Sequence, residues 1–255
     1  MAEVDLSIII PAYMEAALIE HSLATLADYL GQRHFGNVEV LVVTADSSDG
    51  TADLAESQAK LFHSLRVVHA GPRVGKGRDV RLGMFEAKGR YRVFMDADLA
   101  TPLIHLDQVH DFASRNGEVL IAMRELGVIH KGLLRKTISL GGNLLAQLVL
   151  LPGIPDTQCG FKAFRADVAE NVFGRMTILG WGFDLEILAI ARKLRYKIEK
   201  IAAPDWTDPK AAEATIGSDS AARATLQVLR DLFKVRLNTW TGVYDQPSYK
   251  PSSSK

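Results

Sequence analysis

The chain is expected to fold as an α/β protein, with a mostly parallel central sheet flanked by helices. Three observations carry that expectation. Five short, nearly uniformly apolar runs in the first half alternate with segments of helical periodicity. Strands without polar alternation are those covered on both faces, as in parallel sheets. Polar and acidic residues gather just past the ends of these runs, where ligands bind in open α/β sheets. A length of 255 residues suits one large domain with a substantial core.

In chain order, residues 6–10 (Leu-Ser-Ile-Ile-Ile) form the first expected strand, closed by Pro11. A helix over about 15–30 places Leu18, Ile19, Leu23, Leu26, Ala27 and Leu30 on one face. Residues 38–43 read as the second strand, followed by the polar turn Asp46-Ser47-Ser48-Asp49-Gly50-Thr51 and a helix over 52–62. A third strand spans 65–68, and a glycine-rich loop leads to a helix ending near Lys88. A strand from Tyr91, a helix over 104–115 and a strand over 119–123 complete the regular half. The second half holds a Leu-rich run at 138–151 stopped by Pro152, a polar segment at 156–165 leading to a strand or turn, and a helix over 183–194. A strand over 197–202 and a terminal helix over 220–239 follow. The Pro- and Ser-containing tail after Tyr244 is expected to be disordered.

Residues 91–102 carry the densest chemical signal. Tyr91-Arg92-Val93-Phe94-Met95 reads as a buried strand, and Asp96 and Asp98 follow it. If the extended conformation persists, a period of two puts both carboxylates on one side of the backbone. Two hard oxygen ligands there suit a divalent cation whose shell is completed by phosphate oxygens. Equally, a solvated turn would use both acids to satisfy backbone donors. Thr101 is expected to cap the next helix, with Pro102 at its first position.

The loop Gly71-Pro72-Arg73-Val74-Gly75-Lys76-Gly77-Arg78 fails two familiar patterns. A Walker A loop needs one more residue before its Gly-Lys pair and a Ser or Thr after it, and Val80 stands where a dinucleotide fingerprint needs its third glycine. What remains is a basic helix start, offering N–H groups and Lys76 to an anion, or an ordinary solvated loop.

Composition narrows the classes. Thirty Lys and Arg balance thirty Asp and Glu, so no global field points to nucleic acid. The single Cys159 precludes an intramolecular disulfide and suits a reducing compartment. The acidic start and the short apolar run at 6–10 argue against a signal peptide, and no apolar run reaches bilayer length. The expected location is cytoplasmic, with peripheral contact at the inner face of the membrane as an extension. No motif bears on oligomeric state.

Taken together, Pro11-Ala12-Tyr13-x-Glu15, Asp49-Gly50-Thr51, Gly75-Lys76-Gly77, Met95 to Pro102, Asp156-Thr157-Gln158-Cys159-Gly160-Phe161-Lys162 and Phe183-Asp184-Leu185-Glu186 resemble the polyprenyl-phosphate glycosyltransferases. Within that large inverting GT-A family the chain is most similar to the dolichyl-phosphate β-glucosyltransferase-like branch. The resemblance implies one GT-A domain over residues 1–244. It implies a nucleotide-diphosphate sugar donor, a polyprenyl-phosphate acceptor and Mg²⁺ or Mn²⁺ as cofactor. By position, Pro11, Ala12, Tyr13, Glu15 and Asp46 match the nucleoside-binding segments, and Lys76 falls near the base and phosphates. Asp96, Ala97 and Asp98 match the motif that holds the donor, with Asp96 and Asp98 on the metal. Arg124, Arg135 and Ser139 fall where relatives bind the acceptor phosphate. Asp184 matches the base of relatives that use hydroxyl acceptors. Glucose transfer from UDP-glucose is thereby implied. The alternatives are a soluble hydroxyl acceptor with Asp184 as base, and the lipid-phosphate reaction with GDP-mannose. The chain departs from the family at Met14, where relatives carry Asn, and at Thr44-Ala45, where relatives carry two acids.

Two segments invite a membrane reading. Leu226, Leu229, Phe233, Leu237 and Trp240 make one stripe on the terminal helix, ringed by Arg223, Arg230, Lys234 and Arg236. Packing of that stripe on the sheet is the expectation. For residues 131–151, packing and membrane contact both stay open.

Overall fold

The computed structural model describes residues 4–124, 150–207 and 218–245. One seven-stranded sheet has the order β3-β2-β1-β4-β6-β5-β7. Its first half alternates regularly: β1 (Leu6–Ala12), α1 (Ile19–Gly31), β2 (Val38–Ala45), α2 (Thr51–Ser57), β3 (Leu65–Gly71), α3 (Lys76–Glu86), β4 (Tyr91–Met95), α4 (His105–Ser114) and β5 (Val119–Arg124). Then follow β6 (Phe161–Arg165), α5 (Ala166–Phe173), α6 (Phe183–Lys193), β7 (Ile198–Ala203) and α7 (Ser218–Trp240).

All pairings are parallel except those of β6, which runs antiparallel between β4 and β5. The two-residue period of the strands divides the core between the faces of the sheet. Ile9, Val43 and Phe94 pack with Phe164, Phe183, Val235 and Tyr244 on one face. Ile8, Ile10, Val42 and Val93 pack with Leu106, Phe112 and Phe161 on the other. Helix α3 lies directly on the first face: a Cβ on Gly83 would come within 2.4 Å of Ile9 Cγ2 and 2.9 Å of Val43 Cγ2.

Several expectations need correction. Helix α1 begins at Ile19 rather than Glu15. The N–H groups of Glu15 and Ala16 are taken by Thr51 Oγ1 (2.9 Å) and Asp49 Oδ2 (3.0 Å), and Met14 is left-handed at φ 58°. The helix expected over 52–62 is split into α2 and a 3₁₀ turn at Ala59–Leu61. Strand β4 stops at Met95, so Asp96 and Asp98 sit in a turn that ends with Leu99 at φ 53°, and not along one strand face. Thr101 does not cap α4. It is buried with Oγ1 3.6 Å from Cys159 Sγ, and a turn through Pro102 precedes the helix. Helix α5 carried no reading of its own in the sequence.

The largest reversal concerns α7. Leu232 and Val235 are the buried side chains, whereas Leu229, Phe233, Leu237 and Trp240 are exposed. Among the described residues no helix is long and apolar enough to cross a membrane. Arg135, Ser139, most of the Leu-rich run and the tail beyond Asp245 lie outside the described residues.

Candidate active site

A cleft of about 290 Å³ opens at the carboxyl ends of β1 and β4. Pro11, Ala12, Tyr13, Glu15, Lys76, Asp96, Ala97 and Asp98 all line it. Arg73, Gly75, Asp79 and Trp181 join them. Asp46 does not line the cleft; it is exposed just beyond β2, with its N–H donating to Gly71 O at 2.9 Å.

The first wall is the loop after β1. Asp49 staples it to the start of α2, accepting from Ala16 N (3.0 Å), Thr51 N (3.1 Å), Thr51 Oγ1 (2.7 Å) and the Ser47 hydroxyl. Desolvation alone would raise this carboxyl. The hydroxyl and backbone donors outweigh it and hold the group well below the usual carboxylate range. Thus Asp49-Gly50-Thr51 shapes the wall without entering the cleft. The guanidinium of Arg73 sits 4.0 Å above the ring centre of Tyr13, a cation–π stack on the same side.

The second wall explains the glycines of Gly75-Lys76-Gly77. A Cβ on Gly75 would lie 2.6 Å from Leu179 O, and one on Gly77 would lie 2.7 Å from Phe183 Cβ and 3.0 Å from Gly180 O. Arg78 N donates to Leu179 O at 3.1 Å. The missing side chains let α3 approach the loop before α6, which brings Trp181 and Asp184 towards Lys76. Buried Glu186 fixes that loop from below, accepting from Thr177 N (2.9 Å), Thr177 Oγ1 (2.7 Å), Ile178 N (2.7 Å) and Tyr244 Oη (2.8 Å).

On the floor, charges alternate. The Lys76 ammonium rests on Asp96 Oδ1 and lies 5.4 Å from the Trp181 ring centre. Burial opposes its charge, yet Asp96, Asp184 and Asp98 together raise its pKa. Asp96 packs on bare backbone, since a Cβ on Gly160 would be 1.9 Å from Asp96 Oδ2. Asp98 Oδ1 accepts from Ala100 N at 3.1 Å. Below, fully buried Lys162 donates to Asp184 Oδ1 (2.5 Å) and Cys159 O (2.6 Å). Burial pushes the Asp184 carboxyl up, against the pull of Lys162 and Lys76. Lys76 thus stands between Asp96 and Asp98, which line the cleft, while Asp184 and Lys162 are buried beneath it and do not line it.

Sequence reasoning missed Lys162 and Asp156. Lys162 stands inside the buried strand Phe161–Arg165, opposite Phe94 across the ladder, and a lysine between Phe161 and Ala163 was the available signal. Asp156 grips Arg124 bidentately, Nε to Oδ2 and Nη2 to Oδ1 both at 2.7 Å, and also accepts from Arg124 N at 3.0 Å. Arg124 stacks on Trp206 at 4.9 Å, at the end of β5. It does not line the cleft. Cys159 is a buried thiol pushed up by desolvation, in the manner of a small core residue.

Known proteins share this architecture. The chain is 29% identical over 252 residues to a dolichyl-phosphate β-glucosyltransferase of Trichomonas vaginalis, covering 94% of this chain and 76% of that one. It is 27% identical to the Saccharomyces cerevisiae dolichyl-phosphate β-glucosyltransferase, covering 95% and 77%. Among solved structures, mannosyl-3-phosphoglycerate synthase from Rubrobacter xylanophilus superposes with a TM-score of 0.67 at 17% identity, covering 98% of this chain and 79% of that one. Glucosyl-3-phosphoglycerate synthase from Mycobacterium tuberculosis, in complex with Mn²⁺, UDP and phosphoglyceric acid, gives 0.62 at 19% identity, covering 91% and 78%. The likeness of these structures extends to the fold. The family model of glycosyl transferase family 2 matches residues 7–173, well over half of the chain and the part that carries Lys76, Asp96 and Asp98. The chain is therefore a glycosyltransferase and belongs to glycosyl transferase family 2.

Proposed function

We propose that the protein transfers glucose from UDP-glucose to a polyprenyl phosphate, with inversion at the anomeric carbon, at the cytoplasmic side of a membrane. The observation that carries this reading is the cleft floor, where Lys76, Asp96 and Asp98 converge beneath the Tyr13–Arg73 stack. It offers a base platform, a cation for phosphate and two hard oxygen ligands within one cleft. The similarity to dolichyl-phosphate β-glucosyltransferases over most of the chain supports the choice of glucose and of a lipid phosphate.

Asp96 and Asp98 fit a divalent cation. Both line the cleft, and Asp96 already holds an ammonium. These two residues would hold the ion, with oxygens of the donor diphosphate and water as the remaining ligands. When bound, Mg²⁺ or Mn²⁺ supplies Lewis-acid neutralisation of the departing diphosphate.

The chain's own residues do the rest. Pro11, Ala12 and Tyr13 hold the nucleoside with Arg73. Lys76 exchanges its contact with Asp96 for one with the diphosphate, a point charge suited to phosphate oxygens. A phosphate acceptor is already ionised and needs no base. Arg124, held in a fixed plane by Asp156 and Trp206, orients it with Arg135 and Ser139. Asp184, fixed by Lys162, then positions the sugar or the acceptor. One observation favours a second reading with a hydroxyl acceptor. The carboxyl of Asp184 is pushed up by burial, the direction that favours proton acceptance.

Purified protein offered UDP-glucose or GDP-mannose, with a short-chain polyprenyl phosphate or a soluble hydroxyl acceptor, separates these readings. We expect glucosyl phosphate product from UDP-glucose with Mn²⁺ or Mg²⁺, and none in chelator. Product only on the hydroxyl acceptor overturns the lipid-phosphate reading and makes Asp184 the base. Product only from GDP-mannose overturns the donor.

A further inference from the structure

Helix α7 presents an apolar face that the fold leaves uncovered. Phe233 is 70% exposed and Trp240 78%, with Leu229 at 42% and Leu237 at 47%. At about 100° of turn per residue these four share one side of the helix, opposite the side on which Val235 is buried. Exposed apolar side chains scattered singly need no explanation, but a continuous stripe of two aromatics and two leucines marks a contact surface.

The described charges on this face are of one sign. Arg230 and Lys234 border one flank of the stripe and Arg236 the other, all exposed. Arg236 lies 5.4 Å from the Trp240 ring centre, the pairing of cation and aromatic that suits a boundary between water and an apolar phase. Among the described side chains of α7, Asp231 is the one acid, and it points inward. A Cβ on Gly182 would lie 2.2 Å from its Oδ2. The cleft is close in structure as well: Gly182 follows Trp181, so the loop that lines the donor cleft rests on α7.

We infer that the outward face of α7, with Leu229, Phe233, Leu237 and Trp240 as its apolar strip and Arg230, Lys234 and Arg236 as its cationic border, docks on an anionic lipid bilayer. The choice of occupant rests on the polyprenyl-phosphate reading, because a long polyprenyl acceptor resides in a bilayer. Charge complementarity points the same way: a basic amphipathic helix lies in the interface with its apolar face among the acyl chains. A second copy of this chain would have to bring a matching acidic rim, and the described side chains of this face include none.

Co-sedimentation of the full chain with phosphatidylcholine–phosphatidylserine vesicles, and with phosphatidylcholine alone, tests the inference at low and moderate salt. The wild-type protein is expected to pellet with the anionic vesicles and less so as salt rises. Each cation near such a surface is worth about fivefold in partitioning, so Arg230→Gln with Lys234→Gln lowers binding about 25-fold. Phe233→Asp with Trp240→Asp releases the protein into the supernatant. All four side chains are exposed and outside the cleft, so circular dichroism and UDP-glucose hydrolysis without lipid should be unchanged. Wild-type protein that stays in the supernatant, variants that pellet like wild type, or a dimer in sedimentation velocity that Phe233→Asp dissolves in the absence of any vesicle binding would each overturn it. Transfer to a short-chain polyprenyl phosphate in solution without vesicle binding would sink the docking face and leave the proposed reaction standing. Vesicle binding without transfer to any polyprenyl phosphate would do the reverse.

Discussion

At the scale of the residue, the site is a set of charges whose neighbours decide their work. Asp96 shares its carboxylate with Lys76, whereas Asp98 shows Oδ1 bound by the backbone of its own turn. Replacing Asp98 with Ala should lower transfer by about 100- to 1,000-fold, the cost of removing one fixed electrostatic partner from the departing group. Unfolding in urea should be unaffected. Turnover equal to wild type in steady-state assays would remove Asp98 from the metal-binding role. Lys162 is a different case, since it touches no cleft surface and acts through Asp184. Lys162→Met leaves a buried carboxylate without its partner, which costs about 3–5 kcal/mol of folding stability in urea titration. We expect kcat to fall while the KM for donor changes little. A raised donor KM at constant kcat would instead tie Lys162 to donor binding.

At the scale of the element, the Gly-Lys-Gly segment shows how a motif resembling a phosphate loop earns its glycines by packing. Gly75 and Gly77 allow the start of α3 to touch the backbone at 178–180, and that contact sets where Trp181 and Asp184 stand relative to Lys76. Gly77→Ala should push α3 off the loop at a cost of about 1–3 kcal/mol, the usual range for overpacking. Activity should fall further than stability alone explains, read as kcat/KM at a temperature where the variant is fully folded. An active variant with wild-type stability would show that the loop yields without consequence. Element boundaries obey the same logic. Helix α1 is preceded by a turn whose Glu15 and Ala16 N–H groups are anchored on Thr51 and Asp49, residues that lie far along the chain.

At the scale of the whole molecule, buried carboxylates pull the pH dependence of stability in two directions. Asp156 and Asp49 are both desolvated, which would raise them, but donors around each hold both carboxyls below their ordinary value near 3.8. Exposed Asp167 is held low mainly by its direct hydrogen bond from Arg165. A depressed carboxyl stabilises the fold above its unfolded pKa, and that contribution is lost as pH falls through the folded value. Asp184, Asp79 and Asp231 are raised by burial and work with the opposite sign, costing stability at neutral pH and less after protonation. Stability should therefore hold at mildly acidic pH and drop only below the ordinary carboxylate range. Asp156→Asn should cost ~1.5–3 kcal/mol at neutral pH. It should also flatten the drop measured by urea midpoints between neutral pH and about pH 3. Equal drops in the variant and the wild type would show that other carboxylates govern it.

The order of strands and helices in the first half, and most residues lining the cleft, were legible in the sequence. The runs at 6–10, 38–43 and 91–95 are nearly uniformly apolar, with Ser7, Glu39 and Arg92 the exceptions, because the sheet is covered on both faces; Pro11 lies in the end of a strand, Tyr13, Asp96 and Asp98 follow strands, and Lys76 opens a helix. Local sequence determines such elements because hydrophobic period and breaker residues act within a few positions. What needed tertiary structure was every feature made by residues distant in the chain. The antiparallel insertion of β6 put Lys162 beneath Asp184, Asp156 met Arg124 across 32 residues, and α7 turned Leu232 and Val235 inward with its more regular stripe facing out. The stripe at 229, 233, 237 and 240 has the spacing of a packing face. Periodicity fixes which residues share a side of a helix, but only the surface a helix is laid against decides which side is buried.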